Sequence, residues 1–211
     1  MLQIKGLSKA FGKKQVISQL DLDIPTGSIL TVVGPSGGGK TTFLRILAGL
    51  ETADAGTFSL DGQDFSPKDL KEHEQVVGVV FQDFQLYPHL SVFENITLAP
   101  KLVLKETKEV YTKKAEALAQ QLGITELLAS YPYQLSGGQK QRVALARAMA
   151  MEPKVLAYDE PTSALDPALR QQVEEMILSL KKQGVTQIVV THDLAFAKNI
   201  ADNLLEVAPN K

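Results

Sequence analysis

The 211-residue sequence contains no cysteine. Disulfides and thiolate metal sites are therefore excluded. It also lacks an uninterrupted apolar run long enough to span a bilayer, so any membrane role would come through a partner. Charge of either sign is scarcely in excess: 22 Lys and Arg against 24 Asp and Glu leave a formal net charge of −2. No global basic field points to nucleic acid, and none is expected as a partner. The start, Met1-Leu2-Gln3-Ile4-Lys5, lacks the organisation of a secretion signal. These absences lead to the expectation of a soluble cytoplasmic protein. What is present suffices for a globular core, with 44% hydrophobic residues. The length fits one domain, or one domain plus a subdomain.

The stretch Gly34-Pro35-Ser36-Gly37-Gly38-Gly39-Lys40-Thr41 fits the phosphate-binding pattern G-x-x-x-x-G-K-[ST]. Its context is right. Ser28 to Val33 reads as a buried strand, and Thr41 to Ala48 as a helix closed by Gly49. Glycines let a backbone curl until several N–H groups aim at one point, and a helix N-terminus adds partial positive charge. Lys40 would meet the β- and γ-phosphates, and the Thr41 hydroxyl could ligate Mg²⁺. The expected ligand is a nucleoside triphosphate.

Before this loop, Leu2 to Lys5 and Val16 to Ile24 read as strands, the second with Leu20, Leu22 and Ile24 on one face. Phe11, between them, is either core or a loop aromatic able to stack on adenine. After the loop, Asp61-Gly62 signals a hairpin between Thr57–Leu60 and Gln63–Phe65. Val76 to Phe81 reads as a buried strand ending in Gln82. Residues 84–135 carry few strand signals and read as a helical insertion, with Val110, Ala117, Leu118 and Leu122 along one helix face. Strands Val155–Tyr158 and Gln187–Thr191, each followed by a helical pattern, end in Asp159-Glu160 and His192. Asp166 is placed to cap a helix that begins at Pro167. Alternating strands and helices imply an α/β fold with a mostly parallel sheet, whose ligands gather at the carboxyl ends of its strands.

Four apolar runs thus deliver a phosphate cradle, an amide, two carboxylates and an imidazole to one expected edge. Asp159 there would hold a metal ion, directly or through water. Glu160 would act as general base on the attacking water rather than as a capping or salt-bridging acid. Gln82 can donate to and accept from a water or a metal-bound oxygen, or be an ordinary loop residue. His192 could donate to a γ-phosphate oxygen. Leu135-Ser136-Gly137-Gly138-Gln139 is a second anion-binding device. Ser136 is an N-cap, and the glycines bare N–H groups at the start of a helix running to Met151. Two phosphate-type helix termini and one nucleotide suggest a composite site between two copies of the chain.

With these motifs in order, the sequence resembles an ABC-type ATPase, the nucleotide-binding subunit of ATP-binding cassette transporters, over nearly its whole length. Gly34–Thr41 matches Walker A, Gln82 the Q-loop, Leu135–Gln139 the signature motif, Val155–Glu160 Walker B and its glutamate, Ser163–Asp166 the D-loop, and His192 the switch histidine. The resemblance implies a P-loop NTPase with an N-terminal antiparallel β subdomain, a core at about 1–83 and 136–211, and a helical subdomain at about 84–135. It implies ATP hydrolysis with Mg²⁺. Gly34 to Thr42 would bind the phosphates and Phe11 the adenine. Thr41, Gln82 and Asp159 would hold the metal, with Glu160, His192 and Gln82 in the chemistry. Ser136, Gly137, Gly138 and Gln139 would serve the ATP of a second copy, or of a paralogous ATPase, in a head-to-tail dimer, with Asp166 also at the nucleotide site. The Gln82–Leu90 region would meet transmembrane permease subunits, which places the chain on the inner face of the cell membrane.

Leu86 to Val92, Glu94 to Pro100 and Tyr131-Pro132 look most like the polar amino-acid importer ATPases, whose complexes include an extracytoplasmic solute-binding protein. Two departures stand out. His192-Asp193 replaces the usual His-Glu. Lys211 falls short of the family's last hairpin and helix, and a C-terminal regulatory domain is not expected, which puts allosteric control in question. The alternatives are a lipoprotein-release or cell-division ATPase of the same architecture, or a non-transport ABC ATPase. The last class usually carries long coiled coils or two cassettes, and neither is present here. A small P-loop kinase or GTPase would need neither Ser136-Gly137-Gly138 nor the Asp159-Glu160 pair.

Overall fold

The computed structural model describes residues 1–69, 76–163, 165 and 167–207. Asp166, and with it the expected helix cap, lies outside the described residues. The chain forms two compact units, Met1–Val79 with Lys154–Lys211, and Val80–Pro153. This division differs from the expected one at 84–135, because the helix that follows Ser136 groups with the second unit.

In the first unit the N-terminal strands β1 (Leu2–Phe11) and β2 (Lys14–Ile24) pair antiparallel. The chain then enters the core through β3 (Ile29–Val33) and the phosphate-loop helix α1 (Lys40–Leu47). It returns to the antiparallel sheet as β4 (Ala55–Leu60) and β5 (Gln63–Phe65), giving the order β2-β1-β4-β5. The β4–β5 turn is the expected one: Asp61 (φ 52°) and Gly62 (φ 82°) are both left-handed, as a two-residue hairpin requires.

The second sheet has the order β6-β7-β8-β3-β9, with β6 (Val77–Val80), β7 (Val155–Asp159), β8 (Thr186–Thr191) and β9 (Asn203–Glu206). Pairings β7–β8, β8–β3 and β3–β9 are parallel. Every residue of β3, β7 and β8 is buried. A parallel sheet covered on both faces needs such near-continuous apolar runs. Each fully buried Ile, Leu or Val contributes about 1.5–3 kcal/mol, and Ile188, Val189 and Val190 are all wholly inside. Helices α5 (Pro167–Lys182) and α6 (Leu194–Ile200) follow β7 and β8. One polar chain crosses this core without an orphan. The Tyr158 hydroxyl donates to Gln187 Oε1 (2.9 Å), and Gln187 Nε2 donates to the Ile177 carbonyl (2.9 Å). Burial raises the Tyr158 phenol well above its ordinary range.

The second unit packs α2 (Val92–Leu102), α3 (Lys108–Gln121) and α4 (Gly137–Met149) against one another. Helix α2 opens on a reciprocal cap, in which the Ser91 hydroxyl accepts from Glu94 N and Ser91 N donates to the Glu94 carboxylate. The buried face of α3 is Ala115, Leu118 and Ala119, continued by Leu122. The expected stripe is corrected at Val110 and Ala117, which are exposed. Among the described residues no helix is long and apolar enough to cross a membrane.

Candidate nucleotide site

The register of the parallel sheet builds the site. Val33 pairs with Thr191, and Asp159 with Val190, so β3, β7 and β8 end at one level. The chain leaves β3 as the Gly34–Gly39 loop. Gly39 caps α1 at φ 90°, and a Cβ there would lie 2.8 Å from Val16 Cγ1. A Cβ on Gly34 would meet the Val207 carbonyl at 2.5 Å. Neither position admits a side chain, so the loop hugs its scaffold and turns its backbone toward the helix end. The first N–H groups of α1 have no intrahelical acceptor by geometry, and they sum with the helix dipole into an anion-attracting pole.

Lys40 is buried, 6% exposed. Its ammonium donates to the carbonyls of Gly34 (2.8 Å) and Pro35 (3.0 Å) and lies 3.9 Å from Glu160 Oε1. The positive charge is thus already inside the loop, held by weak neutral acceptors that a phosphate oxygen can outcompete. The Thr41 hydroxyl donates to Asp159 Oδ1 (3.3 Å). Hydroxyl and carboxylate together are hard oxygen donors, the type Mg²⁺ prefers.

Glu160 follows β7 and stays in register, its N–H donating to the Val190 carbonyl (2.8 Å). It adopts φ 51°, a left-handed conformation that costs a non-glycine residue about 1–3 kcal/mol. The turn swings its side chain away from that of Asp159. His192 fixes the carboxylate, with its N–H (3.2 Å) and ring Nδ1 (2.8 Å) both on Oε2. Oε1 is the oxygen on the Lys40 side. The imidazole is 62% exposed and the glutamate 14%. Asp193 caps α6 through Phe196 N (3.1 Å) and pairs with Arg170 (2.7 Å). The shorter acid that departs from the His-Glu pattern is a sound N-cap, where Glu would be a poor one.

The first unit therefore brings together Gly34 to Thr42, Asp159, Glu160 and His192. Phe11 ends β1, half exposed at 49%. A cavity of about 290 Å³ adjoins the loop, lined by Val16, Ile17, Phe43 and the Gly38–Lys40 turn. A larger one, about 330 Å³ around Phe58, Phe65 and Lys68, lies apart from these residues.

Gln82 and Ser136–Gln139 belong to the second unit. Gln82 is exposed on the turn closed by Phe84 N donating to the Phe81 carbonyl (2.9 Å). Ser136 caps α4 with the same reciprocal geometry as α2: its hydroxyl accepts from Gln139 N (3.3 Å), and its N–H donates to Gln139 Oε1 (2.8 Å). Gly137 and Gly138 fill the first turn, and buried Leu135 anchors the entry. Two residues that sequence reasoning did not single out hold the segment after Gln82. Arg147 of α4 donates to the carbonyls of Phe84 (2.8 Å) and Gln85 (2.6 Å), both left-handed, and lies over Tyr87. Asn95, wholly buried, accepts from Tyr87 N (2.8 Å) and donates to the carbonyls of Tyr87, Leu90 and Ser91.

A parallel sheet whose first loop is a glycine-rich cradle, with a lysine inside it and a carboxylate facing the helix hydroxyl, defines a P-loop NTPase. The comparisons narrow the class. The family model described as ABC transporter matches residues 17–163, and the chain belongs to that family. It is 45% identical to the glutamate transport ATP-binding protein GluA of Corynebacterium glutamicum, over 99% of this chain and 87% of that protein. It is 46% identical to the arginine transport ATP-binding protein ArtM of Bacillus subtilis, over 97% of this chain and 86% of that protein. The fold matches a dimeric bacterial ABC transporter cassette, MJ0796, at a TM-score of 0.85 and 30% identity, over 100% of this chain and 95% of that one.

Proposed function

We propose that this chain is the ATP-hydrolysing subunit of an ABC importer for polar amino acids. The observation that carries the catalytic part is the cluster at the ends of β7 and β8. There Glu160 is held by His192 on one oxygen and lies beside Lys40 of the phosphate cradle on the other.

In this reading Lys40 exchanges its carbonyl partners for β- and γ-phosphate oxygens, and the α1 N–H groups from Lys40 to Thr42 complete the cradle with Gly34–Gly39. Phe11 stacks on the adenine. Thr41 and Asp159 would hold Mg²⁺, which would supply charge neutralisation at the phosphate oxygens, with Gln82 as a further proposed ligand. Glu160 takes the proton of the attacking water on Oε1, its carboxylate already oriented by His192. The ring can serve Glu160 through Nδ1 and donate to a γ-phosphate oxygen through Nε2 only as imidazolium. Ser136, Gly137, Gly138 and Gln139 cap the ATP of a second copy. The Gln82–Leu90 region docks on permease subunits at the inner face of the cell membrane, in a complex that includes a solute-binding protein.

The amino-acid assignment rests on the names of the relatives, among them a glutamine transport ATP-binding protein, GlnQ of Escherichia coli, 42% identical over 97% of this chain. A tagged Glu160→Gln chain, trapped with ATP, should dimerise and co-purify from solubilised membranes with a multi-span permease. Ser136→Arg should bind ATP but remain monomeric. Recovery of DNA or ribosomes instead would overturn the transport reading and leave the catalytic assignments standing.

A further inference from the structure

Lys9 belongs to no motif, yet it is nearly inaccessible, its side chain 9% exposed. Lysine is rarely buried unless paired. Its ammonium pairs with Glu51 (2.9 Å) and Asp54 (3.6 Å). The hydrogen bond to Glu51 raises its pKa against the opposing effect of desolvation, which keeps it charged. Both carboxylates are themselves fixed. Glu51 Oε1 accepts from Thr52 N (2.9 Å) while the Glu51 N–H donates to the carbonyl of Arg45 in α1 (3.1 Å), and Asp54 Oδ2 accepts from Ala10 N (2.6 Å). The cation is therefore held between the strand that carries Phe11 and the turn that follows the phosphate-loop helix. Lys9 and Phe11 lie on the same face of β1, two residues apart. The ammonium sits 4.8 Å from the Phe11 ring centroid.

We propose that Lys9 is a positioning residue for the nucleotide base: its pinned ammonium holds one face of Phe11 by a cation–π contact and leaves the opposite face to stack on adenine. This rests on the reading that Phe11 receives the base. A ring at the exposed end of a strand has several rotamers to lose on stacking, and a cation fixed behind it removes that cost before the nucleotide arrives. Through Glu51, the ring is also tied to the helix whose other end holds the phosphates. The base and phosphate subsites are thereby set at one spacing.

Calorimetric titration of the full chain in the Glu160→Gln background, with ATP and with inorganic tripolyphosphate, tests this. Lys9→Met should weaken ATP about threefold to tenfold, leave tripolyphosphate unchanged, and be largely rescued by Lys9→Arg. In a Phe11→Ala background, Lys9→Met should have no further effect. Equal weakening of both ligands, or an undiminished effect without the ring, would overturn the proposal. If Phe11→Ala itself failed to discriminate ATP from tripolyphosphate, base stacking on this ring would be the reading that fails.

Discussion

The two units hold their candidate functional groups by opposite means. In the first, Lys40, Asp159, Glu160 and His192 come from three strands far apart in sequence, aligned by the β3–β8 and β8–β7 pairings. In the second, Ser136 is fixed by Gln139 three residues on, and the 84–91 segment by side chains bonded directly to backbone carbonyls. The first arrangement is a property of the whole sheet, so its parts stand or fall together. The second is assembled from separate side-chain-to-backbone devices, each removable on its own.

The largest effect expected from breaking the first arrangement is chemical. Glu160→Gln should slow phosphate release by roughly 10²–10⁴-fold while ATP affinity, measured by titration, is preserved; unchanged turnover would remove Glu160 from the mechanism. Next comes the sheet itself. Ile188→Ala, in the middle of β8, should cost about 2–5 kcal/mol in denaturant unfolding. It should raise amide exchange together at the ends of β3, β7 and β8. Exchange confined to β8 would contradict the collective picture. In the second unit, Asn95→Ala strands several loop carbonyls and should cost about 1–3 kcal/mol. Its exchange signature should be confined to residues 87–91. Smallest is Ser136→Ala, which removes one cap for about 0.5–2 kcal/mol and should fray only the first turn of α4. Broad exchange in either variant would show that the second unit is as cooperative as the first.

The same contrast explains what could be read from the sequence. Strands buried on both faces are unbroken apolar runs, so β3, β7 and β8, and the polar residues at their ends, were legible. So was the phosphate loop, because its glycines, lysine and threonine are contiguous. Helix α2 carries a legible Ser91-x-x-Glu94 cap within a stretch whose scarcity of strand signals marks it only as helical. Periodicity alone does not give the α3 face, because Val110 is apolar but lies near the exposed start of the helix. Arg147, Asn95 and Lys9 were beyond reach for a different reason. Backbone carbonyls look alike in any sequence, and the partners of Arg147 and Lys9 lie tens of residues away.

The chain has five tyrosines and no tryptophan, so its near-ultraviolet spectrum belongs to tyrosine. Tyr158 sits one residue before Asp159, its phenol sealed against Gln187 and held un-ionised far into alkali. An unfolded tyrosine ionises near pH ~10. Above that value the unfolded chain binds fewer protons than the folded one, so stability declines as pH climbs beyond it. After a jump to strong alkali, the Tyr158 phenolate absorbance should appear only as fast as the sheet opens. The strand that ends in Asp159 thus carries its own optical clock, read without a label.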